Sequence, residues 1–542
     1  MSAIQDKTPK NHGEFFFDPP MPQWKEEALR NRERLVKQAL WGLTSHKART
    51  ILKLPLDQPL VLSGHQPIFF HPGVWAKCLA ASTLAESISG TACHLITDTA
   101  MTGEYIHYLP EVEENGKCRR KQLDFFKTKD MRQQEKTIPY AHLPAPELAA
   151  LEHLFSDAQV FCPEVTKPRL RLFEEKLTGG LKKNPTWNEF HLYTLKMLDE
   201  ICGTSRLYLP GSKIWSSEPF LQFMANWLIN LPEMTDFYNQ SLDEYRRKYN
   251  ITHDLTPVPN LKFENWYFEI PFWGVTKYHQ RHSVWAKKDG KKIVLKVKGG
   301  EGSYELSQDN LVPELGKLVL TLWPKAIPQT LFARMYLCDF FIHGIGGAGY
   351  EEVGDMIFTK TFKMKPLTYG VVSATYLVDP EESQGLEVIL KKEAKIEQWG
   401  RALAQNPEYL FTKADLWQKD LPVFMLPKFK ECFNNEKLKK LAEEKALWVE
   451  SLKDPAKKAE ASQKIKQINF TLYDGYTDVI KVLEQGLFDI GKLKETRDVL
   501  GGREYPFFCF TPETFVEMKD KIRDFAHVDQ NISHHDLPKA AK

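Results

Sequence analysis

The chain has 542 residues, 42% of them hydrophobic and 12% aromatic, enough to bury a large core and too many for one ordinary domain. Its 73 lysines and arginines stand against 71 acidic residues, which leaves no net field for generic binding to nucleic acid or an anionic membrane and points to a small-molecule or protein partner. No apolar run approaches bilayer length, the N-terminus lacks a signal-peptide pattern, and eight scattered cysteines form no CxxC pair, so the expectation is a cytoplasmic protein of two or three domains with reduced thiols.

In chain order, Leu29, Leu35, Ala39, Leu40 and Leu43 predict an amphipathic entry helix within residues 24–50. PLVLSG (59–64) reads as a buried strand, HQPIFFHPG as a loop, residues 73–88 as a helix and ACHLITDT (92–99) as another buried strand. Such a β-loop-α-β unit implies a parallel sheet. From about 100 to 200, proline-punctuated loops and a basic stretch around Arg119 to Lys136 read as connective structure inserted between core strands. SRLYLPG (205–211) resumes the core, followed by a helix carrying Phe220, Phe223, Trp227 and Leu228. A second insertion at about 240–300 contains FEIPFWGV (268–275) and a hairpin signalled by Asp289-Gly290.

Residues 327–341, IPQTLFARMYLCDFF, predict a buried helix that runs into the glycine-rich loop IHGIGGAGY, with a further helix from Glu351. Between 379 and 500, Leu438, Leu441, Trp448 and Leu452, then Ile465, Ile468, Leu472, Val479 and Leu483, are spaced as two coiled-coil seams with a break at Asp454-Pro455. A projecting helical hairpin is expected, which offers a surface for a homodimer. Residues 501–542 read as an aromatic return segment, GGREYPFFCFTPETF, and a polar tail.

Two loops carry candidate chemistry. The first places Gly64, His65, Gln66, His71 and Lys77 between the end of a parallel strand and a helix N-terminus, where backbone N–H groups and the helix dipole favour an anion or nucleotide. Asp98, ending the next strand, would face the same crevice or cap the following loop. The second loop holds four glycines within 344–349, including Gly346 and Gly347, with Arg334, Asp339, His343 and Tyr350 nearby as a clamp for a carboxylate or phosphate. Asn239 and Arg246 sit in an aromatic-rich helical stretch. Glu269, inside an apolar strand, requires either a cationic partner or a ligand amine. Two histidines six residues apart define no metal site, and neither HExxH nor a Cys/His spacing is present, so no metal is expected.

GHQPIFFHPGVWAK, YRRKYN, the EIPFW strand and IPQTLFARMYLCDFFIHGIGGAGYEEVGD, in that order before a long helical region, resemble the cysteine-adding enzyme of bacillithiol biosynthesis. The resemblance implies a Rossmann-like α/β core of the nucleotidyl-transferase type over residues 1–378 with connective insertions, a helical coiled-coil domain over 379–500 and a return segment. It implies a ligase that joins cysteine or another amine-bearing small molecule to a carboxylate or amino-sugar acceptor, ATP or another nucleotide being compatible with that chemistry; the alternatives are a nucleotide- or metabolite-binding protein of the same fold without ligase activity and, ranked below it, a metal-dependent hydrolase using His65, His71, Asp98 and His343. Lys77, His65 and His71 would then stabilise developing charge, Glu269 or Asp98 would accept the amine proton, and Arg334, His343 and the 346–347 backbone would orient the acceptor. His65 departs from the family's Gly-Gln-Gln wording, and ITDTAMTGEY, with Asp98 and Glu104, replaces its acidic, histidine-containing run.

Overall fold

The computed structural model describes residues 7–102, 107–113, 118–123, 138–253, 255–299, 302–379 and 386–527. Glu104, most of the basic stretch ending at Lys136 and the polar tail beyond residue 527 lie outside these residues. The chain divides into two compact units, one formed by residues 1–109, 121–378 and 503–542, the other by 110–120 and 379–502.

The first unit is a mixed α/β structure. Four strands come first: β1 (Glu14–Asp18), β2 (Leu60–His65), β3 (Thr91–Ile96) and β4 (Leu207–Pro210). A six-stranded antiparallel sheet follows, with β5 (Tyr267–Val275), β6 (Arg281–Asp289), β7 (Lys292–Val297), β8 (Tyr304–Ser307) and β9 (Thr321–Pro324) ordered β8-β7-β6-β5-β9 and the short strand Phe263–Glu264 paired to β5. The chain then returns to the first sheet with β10 (Phe340–His343) and β11 (Gly370–Thr375). That first sheet runs β1-β11-β10-β2-β3-β4, parallel throughout except for β1 at one edge.

The apolar runs explain the parallel sheet. Leu60, Val61 and Leu62 are buried, as are Phe340 to His343 and every residue of β11, because helices cover both faces and leave no solvent side for alternation. The helix Pro72–Ser87 is buried on nearly all sides, packed on β11 and on the return helix Pro512–His527. After β2 the chain moves outward through β3 and β4, and it re-enters on the opposite side of β2 with β10 and β11. The direction of winding therefore reverses between β2 and β10, and a crevice opens at their carboxyl ends, where sheets of this type bind ligands.

Several local expectations are corrected. The entry helix spans Trp24–Lys37 and buries Trp24, Ala28, Asn31 and Leu35, while Leu29 faces outward and Ala39 to Thr44 form a small hairpin. Residues 148–202 hold three helices (Leu148–Phe161, Lys167–Leu181 and Trp187–Cys202) and not merely connecting loops. The helix expected over 327–341 ends earlier: Ala326–Phe332 passes into a π-helical turn, Ala333–Leu337, and the remaining apolar residues form β10. The glycine-rich stretch is no loop, since a helix begins at Ile345 and runs to Phe362.

The second unit is helical. Leu386–Gln405, Glu436–Ser451, Lys458–Gly475 and Thr477–Leu500, with shorter helices between 409 and 433, share a core that includes Trp399, Trp417, Phe429, Leu472 and Leu483. A multi-helix bundle thus replaces the expected two-helix hairpin. The break at Asp454 is present: its carboxylate accepts from the N–H of Ala456 in the turn between two packed helices. No described helix is long and apolar enough to cross a membrane.

Candidate active site in the first unit

A cavity of about 840 Å³ opens over the carboxyl ends of β2 and β10. Its floor comes from both loops singled out in the sequence. β2 ends in Gly64 and His65, Gln66 follows, and Gly73, Val74 and Lys77 belong to the first turns of the helix that starts at Pro72. β10 ends in His343, and Gly344, Gly346, Gly347 and Tyr350 open the helix Ile345–Phe362. Residues about 270 apart in sequence become neighbours because β2 and β10 pair directly, with Leu62 opposite Phe341.

The facing wall is the antiparallel sheet. It contributes Glu269 and Trp273 from β5, Arg281, Ser283 and Trp285 from β6, and Lys298 and Lys325 from the strand ends. Lys262 and Arg503 complete a set of six cations, with Lys77, Arg281, Lys298 and Lys325, and Glu269 is the carboxylate among the described lining residues. The Lys325 amine donates to Glu269 at 2.7 Å, the cationic partner that the apolar surroundings of Glu269 require. Arg281 and Lys325 both lie over the Trp273 ring, 4.4 and 4.5 Å from its centroid.

Lys77 is buried, and its amine donates to the Gly64 carbonyl at 2.6 Å. Burial pulls its pKa down from the usual 10.5 to about 8. His65 has Nδ1 3.0 Å from the Gln66 carbonyl, and burial, then Lys77, lowers its pKa well below the ordinary value. Burial followed by Arg334 and Lys77 does the same to His343. Arg503 donates to the Ser373 hydroxyl and the Ala374 carbonyl at the rim of the sheet.

Six of the sequence candidates lie outside the lining. His71 caps the helix: its Nδ1 accepts from the N–H of Gly73, its Nε2 donates to the Tyr376 carbonyl at 2.6 Å, and burial pushes its pKa to about 3. Both ring nitrogens are thereby engaged. Asp98 accepts from the N–H and hydroxyl of Ser212 and from Asn188, which ties β3 to the segment after β4. Asp339 holds Arg49, Arg32 and the N–H of Leu60, fixing the starts of β2 and β10. Arg334 is committed to Glu351, Asp355 and the Leu367 carbonyl.

Asn239 and Arg246 act one step back from the cavity. Asn239 exchanges two hydrogen bonds with the Leu261 backbone, and Arg246 donates to the carbonyls of Thr256 and Val258 and to Asn260. They hold a segment whose Val258, Pro259 and Asn260 line the cavity.

Sequence reasoning missed Lys262, Arg281, Lys298, Lys325 and Arg503. Their one local signal is a cation beside an aromatic strand or segment, as in Arg281 of β6 and Arg503 of GGREYPFF. Among the described residues no group of three or more His, Cys, Asp or Glu side chains is placed to hold a metal ion. No known family model and no curated protein matches the chain.

Proposed function

We propose that the chain is an enzyme that joins an amine-bearing small molecule to an activated carboxylate, with cysteine as the precedent from the resembling family and an amino sugar as an alternative acceptor. The observation that carries the reading is the excess of cations in a cavity at the winding reversal of a parallel sheet. Six cations facing one carboxylate suit a substrate with several negative charges. At the floor, the N-terminus of the helix Ile345–Phe362 and the Lys77 amine converge on one space, the arrangement that receives a phosphate or developing oxyanion. Trp273, with Arg281 and Lys325 over its ring, and Trp285 give the facing wall an aromatic, cationic lining for the organic part of a substrate. A nucleotide such as ATP would supply the activation, and its phosphates match the charge of this floor.

Titration calorimetry with ATP and with inorganic pyrophosphate tests the reading. Wild type is expected to bind both, and Lys77→Ala is expected to weaken each by at least about tenfold, as loss of a buried cation facing an anion requires. Absence of binding to either anion would remove the basis for the proposal. Binding of ATP with no turnover in the presence of amine and carboxylate mixtures would replace a ligase with a nucleotide-binding protein.

A further inference from the structure

Building on the ligase reading, we propose that His343 is the base that takes the proton from the attacking amine, and that Glu351 is the positioning residue that fixes its tautomer. His343 ends β10 and lines the cavity while its ring is buried. Its Nε2 lies 3.3 Å from one oxygen of Glu351 without the alignment of a hydrogen bond, and both atoms are buried with no hydrogen-bond partner among the described residues, while the other Glu351 oxygen accepts from Arg334 at 2.7 Å. Phe341 stacks on the imidazole at 4.2 Å between centroids, and Tyr350 and Tyr369 meet it edge-on, so the ring plane is set by packing.

With Nε2 turned to the carboxylate, Nδ1 faces Gly347, another lining residue. A methyl group on Gly347 would come within 2.9 Å of Nδ1 and 3.0 Å of the Tyr350 hydroxyl. Glycine weakens a helix, and its placement in the first turns is accounted for here because it leaves the approach to Nδ1 clear. An unpartnered carboxylate oxygen thus stands 3.3 Å behind the far nitrogen, within reach of closing to a hydrogen bond when the ring takes up a proton.

The other candidates are engaged. Asp98 is bonded to Ser212 and Asn188, Glu269 to Lys325, and the charged neighbour that acts on His65 is Lys77, a cation that disfavours an imidazolium. The groups that face His343 are Lys77 from the helix Pro72–Ser87, Arg334 from the π-helical turn, Glu351 and Tyr350 from its own following helix, and Tyr369 ahead of β11. Burial and the two cations keep the ring neutral at pH 7, the form a base requires.

In the step assigned to it, a neutral amine attacks the carbonyl carbon of an acyl phosphate or acyl adenylate. The C–N bond forms as the C–O bond to phosphate breaks. The phosphate leaves as an anion toward Lys77 and the helix N-terminus, the nitrogen's proton passes to Nδ1, and the resulting imidazolium is stabilised through Nε2–H by Glu351.

The test combines three measurements on the full-length protein. Long-range 15N–1H NMR of histidine-labelled wild type is expected to show His343 neutral with its proton on Nε2, and Glu351→Gln to disturb that preference. Cells lacking the gene and complemented with His343→Asn are expected to make at least about 100-fold less amine conjugate than those carrying wild type, the scale of a lost general base. The purified variant should still bind pyrophosphate, because the Lys77 amine and the helix N-terminus remain, so that loss of conjugate is distinguished from loss of the anion site. Gly347→Ala, whose methyl group would meet Nδ1 at 2.9 Å, should also reduce conjugate, and the melting temperatures of both variants separate loss of the base from misfolding. A proton on Nδ1, or conjugate formation undiminished in His343→Asn, would overturn the base assignment. If wild type itself forms no conjugate, the ligase reading falls and the base role falls with it.

Discussion

At the residue scale, Lys77 shows how a site works against stability. Its buried amine donates to the Gly64 carbonyl, and burial lowers its pKa from the ordinary 10.5 to about 8. Between those pH values the unfolded chain binds more protons, so this lysine costs stability most fully below about pH 8, and the cost fades as pH rises toward 10.5. Lys77→Met is therefore expected to raise stability at pH 7 by about 1–3 kcal/mol while weakening anion binding, and its advantage is expected to shrink between pH 8 and 10.5. Denaturant unfolding at a series of pH values checks this; a destabilised Lys77→Met would show that the amine is paired more strongly than its surroundings indicate. Asp98 should behave in the opposite way. Asp98→Ala removes acceptors for the Ser212 N–H, the Ser212 hydroxyl and Asn188, with an expected loss of about 2–4 kcal/mol and unchanged pyrophosphate affinity in the molecules that remain folded. A selective loss of affinity without loss of stability would return Asp98 to the site.

At the element scale, what was legible in the sequence follows from which signals are local. Leu60 to Leu62 and the apolar run ending at Ile96 gave β2 and β3, because strands buried on both faces are continuous apolar runs closed by Gly64 or a turn. Phe340 to His343 belong to the same class, yet they follow a helix directly, and a short apolar run carries no periodicity that separates a strand from the end of a helix. The glycines at 344–349 read as a loop by propensity. Tertiary packing overrides that preference: Ala348, Gly349, Val353 and Ile357 are buried, and the helix they open packs on Leu231–Tyr249 and Ala326–Phe332. The site was half legible for a similar reason. Loop residues at strand ends announce themselves through position, whereas Lys325, Arg281 and Arg503 are gathered by topology from separate parts of the chain. Arg246 tests the supporting layer. Arg246→Ala frees the carbonyls of Thr256 and Val258 from their clamp, and pyrophosphate affinity is expected to fall by about 3- to 30-fold through a loosened wall although no lining cation is removed. Unchanged affinity would show that the 256–261 segment is held by its own packing.

At the scale of the whole molecule, each of the two compact units has its own hydrophobic core, and the described residues that line the cavity belong to the first. Calorimetry is expected to resolve two unfolding transitions, with pyrophosphate raising only that of the unit that contains the cavity. A single transition moved as a whole by the ligand would mean that the units unfold together. The near balance of charge over the full sequence conceals the cationic character of this cavity, so a small anionic partner is compatible with a chain whose net charge is only +2.

The proposed activity is formation of a bond between an amine and an activated carboxylate in this cavity. Its most direct test is a metabolite profile, with thiol- and amine-reactive labelling, of cells lacking the gene and of the same cells complemented with wild type or with Lys77→Ala. The expected result is that an amide-linked conjugate disappears with the gene, returns with wild type and stays absent with Lys77→Ala, while its free amine accumulates. An unchanged profile in cells lacking the gene, or full restoration by Lys77→Ala, would contradict the claim.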